Sequence, residues 1–446
     1  MLNEGRTNDC PANAGLKSRK RKHGTSDVGK RKLSKQLKKR KWYSLYDKVY
    51  ALPNLERAWN KVRSNRGAGG IDRQTIASFE RNKEQHLTEL HRLLREKRYK
   101  PLALRRVYIP KGNGEKRPLG IPTIGDRVVQ QALLNILEPI FEPLFHEQSY
   151  GFRPNRNAHQ AIARVTKLLS EGREWIVDVD VRKYFDTVNH ELLLKAVNEE
   201  ISDGSVLRLL RMFLESGVME NGIRMATEEG TPQGGVISPL LANIYLNRFD
   251  WEMAKAGYEV IRYADDFVVI CLSEEEAKRA YEGVRNIIEG ELGLQLHPQK
   301  TRVVHHEESA FEFVGFLVHR RYLWPRIKSL DRFKYRVRIL TRRQQPKNVQ
   351  EVIRNLNSTL RGFGNYFRVA DVQGLFGEMD GWIRMRLRCF MEKKKAVKYQ
   401  NRRIPNSLFA SMGLVSLEVL RLAYLSLPET GQPYRKAVYG KSVRTV

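Results

Sequence analysis

The chain has 446 residues, 41% of them hydrophobic and 9% aromatic, with a formal net charge of +30. Its length exceeds one ordinary core and its apolar content excludes global disorder. No run approaches the roughly 18 consecutive apolar residues of a membrane span, and no secretory core opens the chain. Three cysteines without CxxC spacing point away from a disulfide framework and towards a reducing, cytoplasmic setting. Charge is segregated: residues 1–41 carry +11, 42–171 carry +10, 172–319 carry −11 and 320–446 carry +20. Basic flanks around an acidic middle suit a chain that holds a polyanion and binds cations at its centre.

In chain order, residues 1–41 are a low-complexity basic segment, expected to be disordered alone and to order only on nucleic acid. From residue 42 to about 98 the apolar spacing is mainly helical, broken by a glycine loop at 66–72. Residues 107–110 and 117–121 flank a Gly-Asn-Gly reversal, which predicts a hairpin, and a helix follows over about 126–137. Residues 175–181 read as a β-branched strand, and 191–197 and 206–216 as helices. Ser238-Pro239 reads as an N-cap and first-turn proline opening another helix. Strands over 260–263 and 267–272 are separated only by Ala264-Asp265-Asp266. That order predicts an α+β sheet domain with helices on one face. Beyond Arg326 helical spacing returns, clearest over 349–366 and 372–393.

The chemistry lies in the acidic middle. In Ile176-Val177-Asp178-Val179-Asp180-Val181 the period of two puts valines on one face and aspartates on the other. Such carboxylates are costly to bury without a compensating cation. Asp265-Asp266 repeats the pattern at the tip of a hydrophobic hairpin. Alone it is an ordinary Asp-rich turn. Together, three carboxylates from neighbouring strands can hold two Mg²⁺ ions about 4 Å apart for phosphoryl transfer. His305 and His306 lack a second Cys/His pair at ligand spacing, so no zinc site is expected.

The stretch Gly230-Thr231-Pro232-Gln233-Gly234-Gly235 through Ser238-Pro239-Leu240-Leu241-Ala242-Asn243, followed by Tyr263-Ala264-Asp265-Asp266, resembles the group II intron reverse transcriptases, or maturases. Arg117-Pro118-Leu119-Gly120, Tyr150-Gly151-Phe152-Arg153-Pro154, Phe313-Val314-Gly315-Phe316 and Leu360-Arg361-Gly362-Phe363 extend the likeness over roughly residues 45–395. The resemblance implies a right-hand polymerase fold, fingers and palm, followed by an α-helical thumb or maturase domain. Boundaries are expected at 1–41 (basic tail), 42–172 (fingers), 173–325 (palm), 326–420 (thumb) and 421–446 (basic tail).

The same resemblance makes Asp180, Asp265 and Asp266 the metal-binding triad for two Mg²⁺ ions, with the Val181 carbonyl as a further ligand. Asp186 is expected to cap the helix at Glu191 or to position a neighbour. Phe185 matches a steric gate that selects deoxynucleotides, and Gln233 a contact to the nascent base pair. Lys116 and Arg117, with Lys111 on the same hairpin, are expected to reach the triphosphate, and Lys300 to protonate the leaving pyrophosphate. Arg153 is expected to grip template or primer phosphate. The partners implied are group II intron RNA, an RNA template with a DNA primer, deoxynucleoside triphosphates and target DNA. Nothing after Cys389 supplies a second cysteine, so a zinc-bound nuclease is not expected. The function expected is RNA-directed DNA synthesis with help in splicing; the alternative is an RNA-binding splicing maturase with little polymerase activity.

Overall fold

Four helices open the described chain: α1 (Tyr46–Tyr50), α2 (Leu52–Asn65), α3 (Ile76–Arg81) and α4 (Lys83–Arg95). α2 carries a proline in its first turn, where a missing N–H costs nothing, and buries Leu55, Ala58, Trp59 and Val62 along one stripe. The computed structural model describes residues 41–110, 116–220, 223–225, 229–231, 234–395 and 403–426. Most of both basic tails, with Lys111 and Gln233, lies outside the described residues.

Next come β1 (Leu104–Pro110) and β2 (Lys116–Ile121), the predicted hairpin, then α5 (Ile124–Phe141) and α6 (Ala158–Ser170). Thr123 accepts the Asp126 N–H to cap α5, and Asn157 with Gln160 forms a reciprocal capping box on α6. The chain continues through β3 (Trp175–Asp180), α7 (Tyr184–Thr187), α8 (His190–Glu200), α9 (Gly204–Leu214), β4 (Val218–Glu220) and β5 (Ile223–Met225). α10 (Ser238–Lys255), β6 (Glu259–Tyr263), β7 (Asp266–Cys271), α11 (Glu274–Arg285) and β8 (Arg302–His305) follow. Last are β9 (Phe311–Phe313), β10 (Phe316–His319), β11 (Tyr322–Pro325), α12 (Ile327–Leu340), α13 (Val349–Phe367), α14 (Gln373–Met391), α15 (Asn406–Ser411) and α16 (Leu417–Leu425).

Among the described residues the strands form three sheets, ordered β2-β1-β4-β5, β6-β7-β3-β8 and β11-β10-β9. The central sheet lies between two hydrophobic cores. Val177 and Val179 of β3, with Phe267 and Val269 of β7, point into a core shared with α2, α5, α8, α9, α10 and α11. Ile176, Val268 and Ile270 point the other way, into a core shared with α6, the third sheet and α12–α16. Asp178, Asp180 and Asp266 alternate onto this second face.

Several expectations are corrected. The sheet is covered on both faces rather than one, because β3 and β7 are apolar at successive positions and each needs a partner layer. Ile237 holds the cap position of α10 and Ser238 is its first helical residue. Asn189, not Asp186, caps α8, since only its side chain accepts the Leu192 N–H. The third sheet had no counterpart among the expected elements. A tail starting at 421 is also wrong: α16 runs to Leu425, with Arg421 and Tyr424 buried and the Arg368 guanidinium 4.8 Å from the Tyr424 ring centre.

Candidate active site

The antiparallel pairing of β3 with β7 sets Asp180 directly opposite Asp266. β6 pairs with β7 so that Tyr263 faces Asp266, which leaves Ala264-Asp265 as a two-residue turn. Ala264 has a φ of +62°, as the first central residue of a type II′ turn requires. Alanine at this positive φ costs about 1–3 kcal/mol, so the surroundings must hold it. Arg262, fully buried in β6, does so: its Nη1–H groups bond the Ala264 carbonyl and Asn243 Oδ1, each at 3.0 Å. The rest of the guanidinium forks onto Asp250 at 2.7 and 2.5 Å. Asn243 in turn donates to the Gly151 carbonyl at 2.9 Å. Gly151 lies against the turn so closely that an added Cβ would collide with the Ala264 nitrogen.

Burial raises the Asp265 pKa, with the Asp180 charge adding to it and the Arg117 charge opposing it. Burial pushes Asp266 up to about 7 despite an N–H donated by Val314 at 3.1 Å, and Asp178 and Asp265 push the same way. Asp178 is pushed up to about 6 by burial, opposed by Arg302 at 3.4 Å. Like-charged carboxylates gathered in a partly dry site are what a cation would relieve, and an all-carboxylate donor set suits a hard divalent ion such as Mg²⁺. Among the described residues, however, no three such side chains converge on one metal position. Asp180 Oδ2 is instead paired with Lys300 at 3.0 Å, and Asp266 Oδ2 with the Val314 N–H. The strands therefore set Asp180 opposite Asp266 with Asp265 in the adjoining turn, while the Asp180 and Asp266 carboxylates rest on protein donors.

Arg117 is exposed on β2 and close enough for Asp265 to feel its charge; Lys116 is exposed at the start of the same strand, opposite Pro110. Phe185 is half-buried in α7, edge-on to Tyr184, and its carbonyl accepts the Thr231 N–H at 2.7 Å. Gly230 and Gly234 seat the glycine-rich segment: an added Cβ would meet the Phe185 carbonyl at one and the Gly120 carbonyl at the other. Val181 is buried and bridged to Leu296 immediately beyond Asp180.

Arg153 is corrected. Its guanidinium is buried, ion-paired to Glu142 at 2.9 Å and bonded to the carbonyls of Glu142, His146 and Ser149. Its donors hold a loop together and are not free for phosphate. Sequence reasoning missed Arg262, Asn243 and Asp250. The available signal was a charge inside the apolar strand Val260-Ile261-Arg262 and two polar residues seven apart, Asn243 and Asp250, on one face of helix α10. A cavity of about 630 Å³ opens beside Asp266, lined by Tyr263, Val314, Arg326, Arg332, Arg336 and Phe363 among others.

This palm-like sheet, with its paired aspartates and following helical domain, is the arrangement of a template-dependent polymerase. The family described as "Reverse transcriptase (RNA-dependent DNA polymerase)" matches residues 109–318, and "Group II intron, maturase-specific domain" matches residues 330–406. Protein YkfC of Escherichia coli (strain K12) is 40% identical over 262 residues, covering 50% of this chain and 68% of that protein. Group II intron-encoded protein LtrA of Lactococcus lactis subsp. cremoris is 31% identical over 326 residues, covering 58% of this chain and 54% of LtrA. The chain thus spans about half the length of LtrA. A solved telomerase from Candida albicans aligns over 82% of this chain and 69% of its own, with a TM-score of 0.41 and 12% identity. A Cas6-RT-Cas1–Cas2 complex aligns over 55% of this chain and 43% of its own, with a TM-score of 0.37 and 22% identity. The chain belongs to the group II intron reverse transcriptase/maturase family. No helix among the described residues is long and apolar enough to cross a membrane.

Proposed function

We propose that the chain is an active RNA-directed DNA polymerase that copies group II intron RNA from a DNA primer and assists the intron's splicing. The observation that carries the reading is the pairing of Asp180 with Asp266 beside the strained Ala264-Asp265 turn. Asp180, Asp265 and Asp266, with the Val181 carbonyl, would hold two Mg²⁺ ions. When bound, these ions would sharpen the primer 3′-hydroxyl as a nucleophile and neutralise charge on the triphosphate and the leaving pyrophosphate.

The chain's own groups do the rest. Arg117 and Lys116 bind the triphosphate, and Arg117 grips its oxygens in pairs. Phe185 bars a 2′-hydroxyl, Gln233 supports the nascent base pair, and Lys300 protonates the departing pyrophosphate. Residues 42–172 serve as fingers, 173–325 as palm, and the helices from α12 onwards as a thumb that grips duplex and intron RNA. Target DNA is the remaining partner, and the setting is a bacterial cytoplasm.

The test is purified protein with poly(rA)/oligo(dT), dTTP and Mg²⁺. Incorporation should be clear, should stop on chelation, and should fall by roughly a thousandfold or more in Asp265→Ala, the scale of losing a principal electrostatic contributor. Phe185→Val should raise ribonucleotide use roughly tenfold or more relative to deoxynucleotide. Absent incorporation, or activity surviving Asp265→Ala, rejects the metal assignment. A second reading, a splicing maturase with little polymerase activity, is favoured by the ion pair that already occupies the Asp180 carboxylate, to Lys300 at 3.0 Å. Tight intron RNA binding without incorporation would select it.

A further inference from the structure

A second tight turn meets the first at this site. Phe313 of β9 pairs with Phe316 of β10, so Val314-Gly315 are the central residues of a two-residue hairpin turn. Both have positive φ, +43° and +84°, the type I′ pattern. Glycine is at home there, but a β-branched residue at positive φ is a genuine outlier. Three contacts keep Val314 in place. Its side chain is buried in the second core, its N–H donates to Asp266 Oδ2 at 3.1 Å, and its carbonyl accepts the Tyr366 hydroxyl at 2.6 Å.

Tyr366 sits on α13 and is itself well fixed. Its ring stacks on Phe316 at 5.4 Å and lies edge-on to Phe367, and its carbonyl is bonded to His159 Nε2 at 2.7 Å. Burial, with the neighbouring Tyr263 and Asp266 charges, pushes the hydroxyl pKa up to about 12, so it remains a donor throughout the neutral range. An unbroken chain of contacts therefore runs from the helical domain to a predicted metal ligand.

The geometry points to Tyr366 as a positioning residue: it holds the Val314 turn and, through the Val314 N–H, sets the orientation of the Asp266 carboxylate. The inference rests on the reading of Asp266 as a metal-holding group. It makes α13 part of the polymerase site rather than only a wall for duplex, since a shift of this helix moves the donor that aims Asp266. Phe313-Val314-Gly315-Phe316 then has a distinct task, because its turn carries a thumb contact on one side and a carboxylate on the other.

Tyr366→Phe keeps the ring and its stacking while deleting one hydroxyl. With template–primer and dTTP, kcat should fall roughly five- to twentyfold, while KM for dTTP and Kd for the duplex stay within about twofold. Separately, without metal or nucleotide, hydrogen exchange of the peptide carrying Phe313–Phe316 should quicken in both Tyr366→Phe and Asp266→Ala. Each variant removes one of the two hydrogen bonds that hold the turn. A wild-type kcat overturns the proposal, as does unaltered exchange. A loss of kcat matched by weaker duplex binding overturns it too, making Tyr366 an ordinary duplex contact. If the unsubstituted protein does not polymerise, the functional reading falls, and exchange alone decides whether Tyr366 secures the turn at Asp266.

Discussion

Arg262 shows how one buried charge can serve a reactive turn. Its guanidinium is fully buried and uses Asp250, Asn243 and the Ala264 carbonyl as acceptors. Such a pair adds little net stability over a well-packed apolar pair, yet breaking it leaves an unpaired buried charge. Arg262→Met should therefore destabilise the protein by about 3–5 kcal/mol, measured by denaturant unfolding. Arg262→Met with Asp250→Leu should recover much of that stability. Activity should stay low in the double variant, because nothing then holds the left-handed Ala264. Full activity would show that the turn holds itself. Arg153 teaches the converse: an exposed-looking Arg-Pro motif beside a predicted site became an internal clamp once Glu142 and two carbonyls closed around it.

At the scale of elements, the site is where two β-hairpin turns, one from β6–β7 and one from β9–β10, meet the end of β3. The loop carrying Gly151 is pinned to β6 by reciprocal backbone bonds, Tyr150 N–H to the Arg262 carbonyl at 2.8 Å and Arg262 N–H to the Gln148 carbonyl at 3.0 Å. That pinning brings Gly151 against the Ala264 nitrogen. Gly151→Ala should displace the turn and reduce nucleotide incorporation by roughly a hundredfold, the cost of about 1 Å of misplacement. Circular dichroism should remain near wild type, since no helix or strand is interrupted. Near-normal incorporation would mean the loop yields instead of the turn. The hairpin strands were readable because they alternate or run apolar. The three-stranded sheet was not, because its strands are three or four residues long and, among the described residues, pair only with one another.

For the whole molecule, charge and fold act together. In the basic C-terminal part, Arg326, Arg332 and Arg336 line the cavity beside Asp266, where they would complement a phosphate backbone leaving the acidic site. Binding of an RNA–DNA duplex should weaken steeply with salt. Arg332→Ala with Arg336→Ala should lower the slope of log K against log salt by roughly one for each cation removed. Titrations by fluorescence anisotropy at several salt concentrations measure this, and an unchanged slope would place the backbone elsewhere.

Much of this was fixed along the chain. The segregated charge, the alternation of Asp178 and Asp180 with valines, and the hydrophobic strands flanking Ala264-Asp265-Asp266 are local patterns, and periodicity reads local patterns directly. The family motifs then named the chemistry those carboxylates are expected to perform. Tertiary structure decided which polar side chains remain exposed and which are closed in by the protein. Arg153 and Arg117 look alike in sequence, but one is closed in by Glu142 and the other remains exposed within the field of Asp265. It also placed Arg262 behind Ala264 and Tyr366 behind Val314, contacts between residues far apart in the chain that no local pattern encodes. Burial and hydrogen-bond partnership arise only when distant segments pack, and here they turn an acidic hairpin tip into a held, strained turn between Arg262 and the Val314 turn.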